Sequence, residues 1–218
     1  MTQFRPTRFE VLPTIIKNLL IINGLVFLAQ NTFAGSTSSF SFEDYFALHA
    51  WQSDLYKPWQ LITHMFLHGD FSHILGNMFA LWMFGSILEN VWGPKRFLLF
   101  YMLCGVGAAV IHLAILSYQL VPLTTQYDRL LNSATLGASG AVFGILIAFV
   151  YLFPNTYIYI YFLFPVKAKW LGIAYFAFEL YKGIENSAGD NVARWAHVGG
   201  AIIGFILVYI WKKKGTSY

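Results

Sequence analysis

Six apolar runs, separated by more polar or charged connections, constrain this chain more than any other feature of its sequence. They cover residues 13–33, 72–88, 97–118, 136–153, 166–181 and 196–211. A bilayer core offers no water to backbone N–H and C=O groups, so runs of this kind must satisfy their own hydrogen bonds as helices. Composition agrees: 57% of the 218 residues are hydrophobic and 11% charged, and the mean hydropathy is +0.57, too apolar for an ordinary soluble domain. Several runs fall short of the roughly 20 residues that a span needs. The apolar approaches 59–67 and 157–164 extend the second and the fifth, with Pro165 interrupting the latter. The expected architecture is all-α, a polytopic membrane protein of six helices in which residues 1–218 form one domain with no appended soluble domain. Cys104 is the single cysteine, so no intrachain disulfide or cysteine metal site is available.

Lys and Arg set the orientation. With the N-terminus inside, Arg5, Arg8, Lys17, Lys95, Arg96, Lys167, Lys169, Lys212, Lys213 and Lys214 fall on the cytoplasmic side, against Lys57, Arg129, Lys182 and Arg194 outside. Both termini are therefore expected inside. The net charge of +4 is spread over separate connections rather than gathered in one patch, which argues against a nucleic-acid partner. Asn18, Asn23 and Asn31 punctuate the first run and no clean cleavage pattern follows it, so it reads as a retained helix rather than a signal peptide. The connection 34–60 carries Trp51, Tyr56 and Trp59, which suits a loop lying in the headgroup layer.

Polar groups at membrane depth are costly, so each is a functional hypothesis. Ser139, within Gly137-Ala138-Ser139-Gly140, opens the fourth run, and His197 opens the sixth. Both helices run from outside to inside, which puts the two side chains at one depth. Gly140 and Gly144 on one helix, with Gly200 and Gly204 on the other, have the spacing that lets helix backbones approach closely, and Gly137, just before Ser139, is expected to join them as a helix-packing glycine. His73 and Asn77, four apart on the second helix, share a face near the same level. Donors of this kind beside a nucleophile suit a developing oxyanion. His64 and His68 have ligand-like spacing but no intervening glutamate or further carboxylate ligand, so no metal is expected, and no cofactor is implied. His112 reads as a packing or hydrogen-bonding residue, Asp70 and Ser72 as caps of the second helix, and Glu89 as a polar anchor at its inner end.

These pieces together resemble the rhomboid intramembrane serine proteases. The matching segments are His73-Ile74-Leu75-Gly76-Asn77, then Glu89-Asn90-Val91-Trp92-Gly93-Pro94-Lys95-Arg96-Phe97, then Gly137-Ala138-Ser139-Gly140-Ala141-Val142-Phe143-Gly144, and last Ala196-His197 with Gly200 and Gly204. The resemblance implies a minimal bacterial form: a six-helix bundle with a membrane-associated loop between helices 1 and 2. In it Ser139 is the nucleophile, His197 the base, and His73, Asn77 and the Ser139 amide form the oxyanion hole. Phe143 stands where some relatives carry a tyrosine that packs on the catalytic histidine.

The expected activity is that of a serine endopeptidase acting on transmembrane protein substrates within the lipid bilayer, in a bacterial plasma membrane. No carboxylate is evident to orient His197, so a Ser139–His197 dyad is expected rather than a triad. Water must reach it through an external cavity lined by His68, His73, Asn77, Ser139 and His197. Lateral substrate access is expected through movement of the fifth helix and the connection 182–195, whose Gly183 and Gly189 give backbone freedom. The rival readings are a small-solute transporter and a non-catalytic client-binding relative. Against the first stands the lack of an inverted repeat or charged relay, and against the second the intact Ser139 and His197.

Overall fold

The computed structural model describes residues 9–33, 41–120, 130–160, 163–185 and 194–215. Six long helices appear where the apolar runs lie: α1 (Thr14–Phe33), α4 (Phe71–Trp92), α5 (Pro94–Gln119), α6 (Ser139–Leu152), α7 (Ala168–Glu185) and α8 (Arg194–Lys213). Two short helices, α2 (Phe42–Phe46) and α3 (Gln60–Thr63), precede α4. By length and composition α1, α4, α5 and α8 suffice to cross a membrane. α6 has 14 residues, about 21 Å of helix, and is enclosed rather than lipid-facing. It packs against α5 and α8, which also pack on each other, while α7 leans on α8 and α6. A helix apolar on all sides belongs at the centre of a bundle.

Local chemistry explains where the helices begin and end. The Asp70 side chain accepts from His73 N at 2.8 Å and caps α4; the Ser72 hydroxyl donates to Asp70 instead of capping the helix itself. Those two donors, Ser72 first, hold the Asp70 carboxyl below its ordinary range. Gly93, at φ +77°, ends α4, and Pro94 opens α5 at the position where a missing N–H costs nothing. Glu89 does more than anchor the inner end. Its two carboxylate oxygens accept from Ile15 N and Ile16 N, each at 2.9 Å, so α4 caps the first turn of α1.

The apolar approaches to the second and fifth runs do not extend those helices. Residues 59–67 form α3 and a 3₁₀ turn (His64–Phe66), set apart from α4 by the extended residue Leu67 and by Asp70. Tyr157–Ile160 and Phe164–Lys167 pair as an antiparallel hairpin, with Tyr157 opposite Lys167 and Ile160 opposite Phe164. Alternating aromatic and β-branched residues favour that geometry, and in a two-stranded ribbon Pro165 removes no ladder bond that a third strand would need. The expected all-helical chain thus carries one small β-ribbon between α6 and α7.

The connection leading to α4 is organised by Gln60, which is fully buried. Its side-chain oxygen accepts from His49 N and Lys57 N, and its amide donates to Asp44 O and Leu55 O. Leu48 and Ala50 pack on Ala109, Leu113 and Leu116 of α5, and Leu48 bridges to Thr135, just before α6.

Candidate active site

Ser139 is the first residue of α6 and His197 lies in the first turn of α8. The two helices run side by side because both lack side chains at the crossing. A Cβ added at Gly200 would collide with the Gly140 carbonyl, and one at Gly204 would stand 2.6 Å from Gly144 Cα. A Cβ at Gly140 would come 2.7 Å from the Ala108 Cβ of α5. This backbone-to-backbone seam brings Ser139 Oγ to 2.8 Å from His197 Nε2.

Gly137, expected as a packing glycine, serves differently. It adopts φ +127°, a region that side chains avoid, and its N–H donates to His64 O at 2.9 Å. The resulting turn starts α6 at Ser139 instead of 136. A Cβ at Gly137 would stand 2.8 Å from His73 Nε2 and 3.6 Å from Ser139 Oγ, so the His73 imidazole and the Ser139 hydroxyl both border the space this glycine leaves open. The hydrogen-bond ladder of α6 begins with Val142 N donating to Ala138 O. The amides of Ser139, Gly140 and Ala141 therefore lie outside it, at the positive end of the helix.

His73 and Asn77 follow Asp70 on α4. Gly69 N donates to His73 Nδ1 at 3.4 Å, which leaves Nε2 as the protonated nitrogen facing Gly137 and Ser139. Asn77 donates one amide hydrogen to His73 O at 3.0 Å and keeps a second. The expected external cavity differs in its lining. His68 and Asn77 are buried, whereas Ser139, His73 and His197 are half-buried. His68 is held from behind by Gln30 of α1, which donates to His68 O and accepts from His68 N. Burial, with a smaller contribution from His73, pushes the His68 imidazole down to about 4, so it is neutral at physiological pH. Its ring lies 5.1 Å from that of His73. His64 Nδ1 donates to Gln60 O at 2.8 Å and His112 Nε2 bonds Thr135 Oγ1 at 2.9 Å, consistent with structural roles. Among the described residues no cluster of metal-ligating side chains forms.

The His197 ring stacks on Phe143, with centroids 4.5 Å apart and planes 12° from parallel, and Tyr175 of α7 also packs on Phe143. The expectation that no carboxylate reaches His197 is corrected. Glu179 Oε2, on α7, stands 3.0 Å from His197 Nδ1 and 3.2 Å from Arg194 Nη1. It is 3% exposed. Its sequence signal was a lone carboxylate within the apolar stretch of the fifth run, the kind of intramembrane charge that marks a site. Gly183, expected to loosen the outer connection, faces the Trp195 ring, while Gly189 lies outside the described residues.

Residues 56–214 match the family model for the rhomboid domain. The chain is 35% identical over 161 residues to the mitochondrial rhomboid protein 1 of Saccharomyces cerevisiae, covering 69% of this chain and 40% of the yeast protein. It is 31% identical over 150 residues to the mitochondrial RHOMBOID-like protein 12 of Arabidopsis thaliana, covering 67% of this chain and 44% of that one. It is 26% identical over 197 residues to the rhomboid protease GluP of Bacillus subtilis, covering 88% and 34% respectively. The chain spans less than half the length of each of these relatives. A domain match over most of the chain, on a polytopic helical bundle, makes this an integral membrane protein of the rhomboid family, which includes intramembrane serine proteases.

Proposed function

We propose that this chain is an intramembrane serine endopeptidase that cuts membrane-anchored proteins in or near their transmembrane segments. The observation that carries this reading is the 2.8 Å contact between Ser139 Oγ and His197 Nε2 at the N-terminal ends of α6 and α8. In the first half-reaction His197 Nε2 takes the Ser139 proton as Oγ attacks the substrate carbonyl carbon. The tetrahedral intermediate then collapses, the C–N bond breaks, and the imidazolium returns its proton to the leaving amine. In the second half-reaction His197 accepts a proton from water as its oxygen attacks the acyl carbon, and Oγ leaves with that proton. The negative charge on the intermediate's oxygen falls beside the α6 N-terminus, where the Ser139 amide, His73 Nε2–H and the second Asn77 amide hydrogen serve as donors. Loss of one such donor costs about 10²- to 10³-fold in rate.

A helical substrate hides its carbonyls in backbone bonds, so cleavage belongs near the outer end of a span that carries small or helix-destabilising residues. The distribution of Lys and Arg supports an orientation with both termini on the cytoplasmic side. Incubating the detergent-solubilised protein with a panel of single-span proteins, and mapping the cuts by mass spectrometry, tests the reading. Cuts grouped at the outer ends, absent with Ser139→Ala and with His197→Ala, are expected. Cleavage that survives both substitutions would refute it.

A further inference from the structure

We infer that Glu179 is a positioning residue for His197, making the site a carboxylate–imidazole–hydroxyl relay rather than a dyad; the inference rests on the Ser139–His197 reading. The geometry is linear in its connections. Glu179 Oε2 meets His197 Nδ1 at 3.0 Å and His197 Nε2 meets Ser139 Oγ at 2.8 Å.

An ionised carboxylate has only acceptors. It therefore fixes the proton on Nδ1, and the Nε2 lone pair is left facing the Ser139 hydroxyl. The opposite tautomer would point an N–H at the nucleophile and could not take its proton. Phe143 cannot supply this restraint. Its stacking, 12° from parallel, sets the plane of the imidazole but distinguishes neither the two ring orientations related by a flip about Cβ–Cγ nor the two tautomers. Glu179 supplies that missing restraint, and its charge stabilises the imidazolium as that species forms.

Arg194 makes the arrangement tolerable in an apolar setting. Its guanidinium shares Oε2 at 3.2 Å, so the buried carboxylate is paired even when His197 is neutral. A carboxylate whose only task was to staple α7 to α8 would be satisfied by Arg194 alone. The additional contact with Nδ1, at the nitrogen opposite the nucleophile, is what a staple does not require. Because Glu179 belongs to α7 while Ser139 and His197 belong to α6 and α8, the relay is complete only while α7 is seated beside them. Substrate that displaces α7 must let it return before His197 regains its acceptor.

The test compares the full chain with Glu179→Gln, Glu179→Asp, His197→Ala and the Glu179→Gln/His197→Ala double variant. Two quantities are read: the rate of labelling by a fluorophosphonate probe, and kcat and KM on a single-span reporter. Soluble serine proteases lose ~10⁴-fold in kcat when the orienting carboxylate becomes an amide. Here Phe143 retains part of the alignment, so Glu179→Gln is expected to lose ~10²-fold in labelling rate and in kcat with KM unchanged. Glu179→Asp is expected to recover part of that loss, and Glu179→Gln to add nothing to His197→Ala. Labelling within twofold of the unsubstituted protein would overturn the inference, as would an equal further loss in the His197→Ala background, which is the mark of a structural role. Persistence of labelling in Ser139→Ala would instead condemn the nucleophile assignment on which all of this rests.

Discussion

The two helices that flank the His197 ring hold it in opposite ways. On α6 nine of the 14 residues are buried, and the helix meets α8 through glycine backbones with no side chain between them. On α7 only Ala168, Gly172, Glu179 and Gly183 are buried, out of 18 residues, and Trp170, Ile173, Phe178 and Tyr181 project outward. Interiors packed backbone to backbone have two settings, assembled or broken, because there is no flexible side chain to absorb a shift. A helix resting on a few contacts can tilt. Ser139 and His197 therefore share a rigid seam, while the side of the site through which a lipid-embedded substrate would arrive is lined by the helix with least to lose by moving.

The rigid half of this comparison is broken most severely by Gly200→Ala, whose new Cβ would run into the Gly140 carbonyl. Forced separation of α6 and α8 is expected to cost about 1–3 kcal/mol in stability, and misplacing the reacting atoms by even 1 Å costs ~10²-fold in rate. Thermal unfolding in detergent and reporter cleavage measure the two effects. Full activity at unchanged stability would show that the seam does not set the catalytic distance.

The mobile half is sharpened by a tether. Crosslinking the 182–195 connection to the outer end of α4 is expected to lower cleavage of a single-span protein by about tenfold or more, because the closed position denies lateral access. Labelling by a small soluble fluorophosphonate should be unaffected, since the tether holds α7 and Glu179 in place. Equal turnover of the membrane substrate with and without the tether would mean that substrate arrives by another route.

The smallest effect belongs to a glycine in neither region. Gly24 on α1 has no atom within 4 Å of an added Cβ, so Gly24→Ala is expected to stabilise by about 0.5–1 kcal/mol through helix propensity alone. Activity should stay unchanged. A large loss there would mean that small residues matter to this bundle for a reason other than the α6–α8 approach.

Much of this was legible in the sequence because it depends on period and spacing. The apolar runs located all six long helices to within a few residues at most ends. The four-residue spacings of Gly140 with Gly144 and of Gly200 with Gly204 pointed to a close crossing, which in turn carried Ser139 to His197. What escaped depends on rotation and depth instead. Glu179 precedes His197 by 18 positions on another helix, and only the relative turn of α7 and α8 decides that its carboxylate meets Nδ1. Gln60 carries no periodic signal, yet backbone groups of Asp44, His49, Leu55 and Lys57 converge on it. The Tyr157–Ile160 strand reads as an apolar approach to a helix because aromatic and β-branched residues in alternation raise hydropathy as effectively as a helix does. Gly137 reads as one more seam glycine because a positive φ leaves no mark on composition.

The central claim is that His197 activates the hydroxyl of Ser139. Its most direct test is to react the full chain with a fluorophosphonate and locate the adduct by peptide mass spectrometry. A single adduct on Ser139, lost in Ser139→Ala and slowed at least ~10²-fold in His197→Ala, is the predicted result. An adduct on another serine, or labelling of Ser139 at the same rate without His197, would contradict it.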